Sequence, residues 1–241
     1  MQNIYDDEEF FSAYSKFARH DHGLDSVAEW PVMREMLGDL TGKDVLDLGC
    51  GFGAFCRYAA EAGARSVGGV DISEKMLARA MAETSAPNVA FKRDSIERFM
   101  ASRGSFDVVF SSLAFHYVED FSGICTRAAI MLREGGKFVS SVEHPIFTAL
   151  AAQSWYGPNG ARLHWPVDNY LSEGRRDTNW LQVGVAKYHR TIGTMVNTLI
   201  GAGFTLRELV EWGPSPEQVA AHPQWADDAR RPIFLLVSAA K

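Results

Sequence analysis

The stretch VLDLGCGFGA, residues 45–54, decides the fold class that this sequence predicts. Residues 45–48 form an apolar run typical of a buried strand, and residues 54–62 follow with apolar positions at helical spacing. Between them, glycines at alternate positions, 49, 51 and 53, permit a ligand to approach the backbone closely. The stretch therefore predicts a strand, a ligand-binding turn and a helix.

Outward from this stretch, β-branched runs alternate with helical patterns, which is typical of a parallel α/β sheet. The pattern predicts strands at 44–48, 66–70, 89–93, 106–111 and 136–142, with helices at 54–62, 74–83, 96–102 and 122–133. A helix at 188–201 and strands at 204–211 and 233–239 are predicted to follow.

The flanking regions complete one predicted domain over residues 1–241, in which residues 44–143 form the cofactor-binding core. Residues 1–40 are predicted to form an N-terminal helical cap, with helices at 8–19 and 31–40. The segment 147–187 interrupts the alternation and contains five large aromatic side chains among glycines and prolines. It is interpreted as a lid over an acceptor site or, alternatively, as an aromatic mini-core at the sheet edge. Residues 188–241 supply the C-terminal part of the sheet.

Composition and charge narrow the functional classes. The 241 residues are 46% hydrophobic and carry a net charge of −6, and no Lys/Arg cluster is longer than a pair. Such a surface disfavours nucleic acid as a partner, because nucleic-acid binding depends on many phosphate contacts. No apolar run reaches the roughly 20 residues of a membrane span. The three cysteines show no metal or redox spacing, and the N-terminus lacks the order of a secretory signal, so a cytoplasmic protein without a metal is expected.

Charge at the glycine turn separates two classes of adenosine ligand. Gly49, Gly51 and Ala54 also fit the dinucleotide fingerprint, which places a pyrophosphate at this turn. Asp47 would repel that group, whereas it suits the ammonium and sulfonium of S-adenosylmethionine. Asp71, 20 positions after Gly51, is placed to accept hydrogen bonds from ribose hydroxyls in either class. An NAD(P)-dependent oxidoreductase and a catalytically silent S-adenosylmethionine-binding protein are the alternatives.

Residues 44–143 resemble the class I S-adenosylmethionine-dependent methyltransferases. The resemblance is carried by DLGCGFG at 47–53, the acidic strand end Asp71, Asp94-Ser95, FDVV at 106–109 and LREGG at 132–136. It implies a doubly wound, Rossmann-like, seven-stranded α/β sheet whose last strand, 233–239, is antiparallel and lies next to the 204–211 strand. Motifs at 112–118, 141–145 and 188–191 resemble bacterial small-molecule methyltransferases, which implies a small-molecule acceptor.

The resemblance also implies cofactor-binding residues. The glycine loop would line the methionine part through Asp47, Gly49, Gly51 and Gly53, with Cys50 as a small residue that fits the crowded turn. Asp71 would bind the ribose, and Asp94 with Ser95 the adenine, although Asp94 is alternatively a helix N-cap. Ile72 and Met76 would pack on the adenosine, and Ser111 would lie near the transferable methyl group.

Methyl transfer from a sulfonium is an in-line displacement, so alignment and exclusion of water are the main demands on the protein. A base is needed only if the acceptor must lose a proton. His116, His144 and His189 are the candidate bases, and each is alternatively a hydrogen-bonded structural histidine. Tyr188 is a candidate for orienting the acceptor.

Overall fold

The fold is built on a seven-stranded sheet with helices on both faces. The computed structural model describes residues 2–16 and 23–241. Its strands are β1 (Asp44–Leu48), β2 (Ser66–Asp71), β3 (Val89–Arg93), β4 (Phe106–Ser112), β5 (Leu132–Glu143), β6 (Gly174–Trp180), β7 (Gln182–His189), β8 (Thr205–Trp212) and β9 (Phe234–Ala240).

The strand order of the main sheet is β3-β2-β1-β4-β5-β9-β8. The first five strands in that order are parallel, and β9 is antiparallel to both of its neighbours, β5 and β8. The predicted seven-stranded, doubly wound sheet with an antiparallel last strand is confirmed. The order reverses between β1 and β4, and such a switch point leaves a crevice at the carboxyl ends of the strands.

The helices of the described residues are α1 (Glu8–Tyr14), α2 (Trp30–Leu37), α3 (Ala54–Glu61), α4 (Glu74–Glu83), α5 (Phe121–Met131), α6 (Pro145–Thr148), α7 (Ile192–Gly201) and α8 (Pro216–Ala221). Two buried clusters, one on each face of the sheet, explain why the central strands are apolar at successive positions. Val45 packs into one cluster and Leu46 into the other, and both are at most 1% exposed.

Two helices predicted after β3 differ most from the structure. Residues 96–102 make only a single turn, which buries Ile96 and Phe99, three positions apart, against the core. The helix predicted from residue 188 begins instead at Ile192, where the Thr191 side chain accepts the Thr194 N–H as an N-cap. Tyr188 and His189 belong to strand β7.

The N-terminal region forms α1 and α2, both shorter than predicted. The Asp7 side chain caps α1 by accepting the Phe10 N–H. Residues 17–19 of the predicted first helix lie outside the described residues. Helix α2 ends at Gly38, whose φ of 66° is unfavourable for other residues.

The aromatic-rich segment 147–187 contains the predicted loops together with a hairpin that the sequence did not reveal. Strands β6 and β7 pair antiparallel, and the tight connection between them uses Leu181 at a φ of 57°. Trp155 and Trp165 pack with Phe147 and with the Arg231 guanidinium, which lies 3.9 Å from the centre of the Trp165 ring. Trp180, by contrast, joins an aromatic group with Phe10, Tyr14 and Tyr117.

In the part of the chain that the structure describes, every helix is too short or too polar to cross a membrane.

Candidate active site

A cavity of about 380 Å³ opens at the carboxyl edge of the sheet, at the switch point between β1 and β4. Its walls come from the glycine loop, the ends of β2, β4 and β5, the N-terminal segment and the β6–β7 hairpin. The lining residues are Gln2, Ile4, Tyr5, Tyr14, Gly49, Gly51, Asp71, Ile72, Met76, Ile96, Ser112, Leu113, Ala114, His116, Tyr117, Glu143, Phe147, Trp180, Ala186, Ile233 and Phe234.

The glycine loop is held by backbone hydrogen bonds to β2. The N–H groups of Gly49 and Cys50 both donate to the Val70 carbonyl, at 2.8 and 3.0 Å. Gly49 has a φ of 84°, and a Cβ there would lie 2.5 Å from the Ala114 Cβ. Glycine is therefore required at this position by conformation and by the close approach of the loop that follows β4.

Asp71 joins the end of β2 to this loop. Its two carboxylate oxygens accept the N–H groups of Gly51 and Ser73, each at 2.9 Å. Burial raises the pKa of Asp71, while these backbone hydrogen bonds oppose that rise. A carboxylate oxygen has two lone-pair sites, so each oxygen retains capacity for a ligand hydroxyl. Asp71 thus offers, at the edge of the cavity, the two hydrogen-bond acceptors that a pair of neighbouring hydroxyl groups requires.

Asp47, for which the sequence predicted an electrostatic role toward the ligand, does not line the cavity. It is 2% exposed, and its Oδ2 lies 3.6 Å from the Cys56 thiol, which donates to it. Burial raises the pKa of Asp47 to about 8, so the side chain is largely protonated at neutral pH. Its position at the end of an apolar strand, between two packed faces, is the physical reason.

Other predicted cofactor residues also do not line the cavity. Cys50 and Gly53 do not line it, and Gly53 instead leaves room for the Phe91 ring, 2.8 Å from where a Cβ would stand. Asp94 pairs with Lys92 and accepts the Ser95 N–H, while Ser95 is buried. Ser111 donates its hydroxyl to the Leu48 carbonyl at 2.7 Å.

Gly49, Gly51, Asp71, Ile72 and Met76 are the predicted cofactor residues that the fold brings to the cavity. Sequence reasoning missed three neighbours that complete this half of the wall: Ile96, Leu113 and Ala114. Ile96 follows directly after the Asp94-Ser95 pair, so the sequence-based prediction missed this lining residue by one position. Leu113 has a φ of 53°, an unusual conformation for leucine that no sequence pattern signals.

The other half of the cavity is aromatic and contains His116 and Glu143. His116 lies in a 3-10 turn, Phe115–Tyr117, after β4, and Glu143 ends β5. The Glu143 backbone N–H donates to His116 Nδ1 at 3.3 Å, which places the two residues side by side. Tyr117, Phe147 and Trp180 surround them.

Glu143 is held by a buried network that the sequence did not indicate. Lys187 Nζ lies 2.6 Å from Glu143 Oε1, and Gln153 donates to Glu143 Oε2 at 3.1 Å. Burial alone would raise the pKa of Glu143, but the Lys187 ammonium together with these hydrogen bonds lowers it. The carboxylate is therefore ionised at neutral pH.

Of the predicted catalytic residues, only His116 lines the cavity. His144 caps α6 through Nδ1 and contacts Glu211 through Nε2, at 2.9 Å. His189 is fully buried, with Nε2 donating to the Tyr170 carbonyl and Nδ1 2.9 Å from the Thr148 hydroxyl. Tyr188 lines a surface depression beside Arg175 and Glu119, and it also lines a second, small pocket together with His116 and Glu143. None of the three, His144, His189 and Tyr188, lines the cavity.

The N-terminal segment closes one side of the cavity. Asp6 accepts the Ser73 hydroxyl at 2.5 Å and the Lys75 N–H at 3.2 Å, which ties the segment to the start of α4. Gln2 exchanges hydrogen bonds with the hairpin, donating to the Gly184 carbonyl and accepting the Ala186 N–H. Tyr5, between them, packs edge-on against the Tyr117 ring, with 6.1 Å between the ring centres.

The charge of this cavity does not suit a diphosphate. Asp71 and Glu143 line it, whereas no lysine or arginine is found among the described residues of its wall. A phosphate group would meet carboxylates without a compensating cation. A phosphate-free adenosine ligand carrying positive charge fits the lining.

The strand order, the antiparallel β9 and a glycine loop facing an acidic strand end define a Rossmann-like methyltransferase. A family model described as a methyltransferase domain matches residues 45–136. A solved structure of an S-adenosylmethionine-dependent methyltransferase from Mesorhizobium loti is 47% identical, covers 91% of this chain and 100% of its own, and superposes with a TM-score of 0.86. A Listeria monocytogenes protein assigned to the same class is 44% identical over 90% of this chain and 99% of its own, with a TM-score of 0.83.

The chain belongs to the S-adenosylmethionine-dependent methyltransferases, and S-adenosylmethionine is its cofactor. It is also similar to the ubiquinone biosynthesis O-methyltransferase of Aromatoleum aromaticum, at 37% identity over 113 residues. That match covers 46% of this chain and 48% of the relative, so it spans about half of each protein.

Proposed function

We propose that this methyltransferase transfers the methyl group to a small, largely apolar molecule bound in the aromatic half of the cavity. The observation that carries this proposal is the enclosure of that half by Tyr5, Tyr117, Phe147 and Trp180. The whole cavity, with the glycine half included, has a volume of about 380 Å³, which is within the range of small-molecule pockets. The net charge of −6 likewise gives little support to a nucleic-acid acceptor.

The glycine half holds the cofactor in this proposal. Asp71 accepts the ribose hydroxyls, and Gly49 and Gly51 allow the methionine part to approach the backbone. Ile72, Met76 and Ile96 cover the adenosine with apolar surface. The bound cofactor supplies an electrophilic methyl group, and the chain directs it toward the aromatic half.

The protein contributes by aligning the reactants and excluding water rather than by covalent chemistry. The N-terminal segment and the hairpin, joined through Gln2, cover the acceptor and exclude water from the in-line path. In this proposal residues 147–187 act as the lid over the acceptor.

The neutral His116 ring does not act as the base. Nδ1 already accepts the Glu143 N–H, and burial lowers the pKa of His116 to about 4. Glu143 is ionised and faces the cavity, so it is the group that receives a hydrogen bond from the acceptor.

The test is a screen of small molecules, a protein extract and total RNA with S-adenosylmethionine carrying a labelled methyl group. We expect label in one or a few low-molecular-weight products and S-adenosylhomocysteine in equal amount. A Trp180→Ala variant should lose this transfer while its affinity for S-adenosylhomocysteine changes by less than about threefold, because Trp180 belongs to the acceptor half. Label found only in polymer, or in no product, contradicts the proposal.

A further inference from the structure

His116 and Glu143 present two different hydrogen-bonding groups next to each other on the cavity wall. Glu143 ends strand β5, and His116 lies in the turn after the adjacent parallel strand β4. The hydrogen bond from the Glu143 N–H to His116 Nδ1 fixes the position of the two residues relative to each other. Both side chains line the cavity. A ligand edge placed against this wall therefore meets both at once.

The His116 ring offers a donor. Because Nδ1 accepts a hydrogen bond, the neutral imidazole carries its proton on Nε2. Within residues 2–16 and 23–241, no protein group accepts from Nε2. A donor on a cavity wall without a protein partner is available to a ligand.

Glu143 offers only acceptor capacity. Each of its oxygens accepts one hydrogen bond, from Lys187 or Gln153, and each retains a second lone pair. Lys187 is fully buried and also lies 5.2 Å from the centre of the Trp180 ring. Lys187 thus neutralises the carboxylate from behind the wall and is not a contact for an anionic ligand.

The surrounding surface selects for shape and charge. Tyr117, Phe147 and Trp180 provide flat apolar faces, which favour a planar ring. An anionic ligand would face Glu143 and Asp71 without a cation on the described wall.

From this geometry we propose that His116 and Glu143 select an uncharged, planar acceptor by an edge that carries a hydrogen-bond donor beside a hydrogen-bond acceptor, as in a cyclic amide. His116 Nε2–H donates to the carbonyl or ring nitrogen of that edge, and Glu143 accepts its N–H. This inference names the substrate class of the proposed function and rests on it.

The experiment measures binding by calorimetry to the full chain saturated with S-adenosylhomocysteine, so that no turnover intervenes. Three probes of similar size are compared: carbostyril, which has the cyclic amide edge, N-methylcarbostyril, which lacks the donor, and quinaldate, which is anionic. We expect carbostyril to bind at least about tenfold more tightly than either of the others, since a buried polar group left unpaired weakens binding by that order.

Paired variants assign the effect to the two residues. Glu143→Gln should reduce the preference for carbostyril over N-methylcarbostyril to less than about threefold, because the amide accepts less strongly than the carboxylate. His116→Phe should weaken carbostyril binding, whereas His116→Gln, which keeps an N–H donor, should restore part of it. Unchanged affinity for S-adenosylhomocysteine in each variant shows that the fold and the cofactor site are intact.

Equal binding of the three probes, preferred binding of quinaldate, or no binding of carbostyril at millimolar concentration overturns the inference and leaves the proposed function standing. Failure of the wild-type protein to bind S-adenosylhomocysteine would instead reject the cofactor arrangement on which both depend.

Discussion

Asp71 Oδ2 accepts the Gly51 N–H at 2.9 Å, so the acidic end of β2 and the glycine loop after β1 form one unit. The sequence separation of 20 residues between them is bridged by α3, which returns the chain to the adjacent strand. The cofactor edge of the cavity depends on this contact.

Replacing Asp71 with asparagine should weaken S-adenosylhomocysteine binding about ten- to hundredfold, because a charged acceptor for ligand hydroxyls is lost. Isothermal calorimetry measures the change. Asp94→Asn is the matched control, since Asp94 pairs with Lys92 and does not line the cavity, and it should change affinity by less than about twofold. An equal loss in the control would favour the adenine role that the sequence predicts for Asp94.

Stability should fall as the pH rises because of Asp47. Its pKa is raised by burial to about 8 in the folded protein, whereas an unfolded aspartate has a pKa of about 3.9. Between these values the folded state binds the additional proton, so the free energy of unfolding decreases by up to about 1.4 kcal/mol per pH unit. Asp47→Asn should remove this slope, as urea unfolding at several pH values would show.

The same Asp47→Asn variant also tests the sequence-based cofactor role. Retained affinity for S-adenosylhomocysteine is expected, since Asp47 is behind the wall. Parallel pH profiles for wild type and variant would contradict the protonated state, and a large loss of affinity would restore the predicted contact.

Gly49→Ala should destabilise the protein by about 2 kcal/mol through overpacking and backbone strain. The new Cβ would lie 2.5 Å from the Ala114 Cβ at a φ of 84°. Gly51→Ala, at a φ of 52° with open space around the Cβ, should cost less. Ala114→Gly should recover part of the loss in a double variant, and additive effects in thermal unfolding would argue against the close approach.

Lys187→Met should destabilise the fold by about 3–5 kcal/mol at neutral pH, because it leaves the Glu143 charge buried without its cation. Adding Glu143→Gln should recover part of that stability. Since the pKa of Glu143 is lowered in the folded protein, the pair stabilises above the unfolded carboxyl pKa of about 4.3, and its contribution is lost as the pH falls further. Denaturant unfolding of the wild type, the two single variants and the double variant at neutral and acid pH measures both effects.

The elements with strong local signals were predictable. Strand β1 and its glycine turn follow from apolar residues next to alternate glycines, and β9 was correctly placed beside β8 through the family resemblance. Asp71 was found because a fixed chain separation leads to the end of the next strand. For β1, its glycine turn and Asp71, the signal lies within one β-α-β unit.

The features that sequence reasoning missed depend on contacts between distant segments. Lys187 pairs with Glu143, which lies 44 positions earlier in the sequence. The strand that contains Lys187 follows a tight turn at Leu181, whose backbone conformation is rare for leucine. Asp47 was assigned to the ligand because an acidic side chain beside a glycine turn looks accessible. Only the packed structure shows that Cys56 and the core surround it.

The close approach of Gly49 and Ala114 restricts how this scaffold can be redesigned. Enlarging residue 114 to alter acceptor range would push directly on the loop that receives the cofactor, so the two properties cannot be varied separately there. Phe147 and Trp180 belong to the inserted segment and do not press on Gly49, so under the proposed function they are the better positions at which to change acceptor preference.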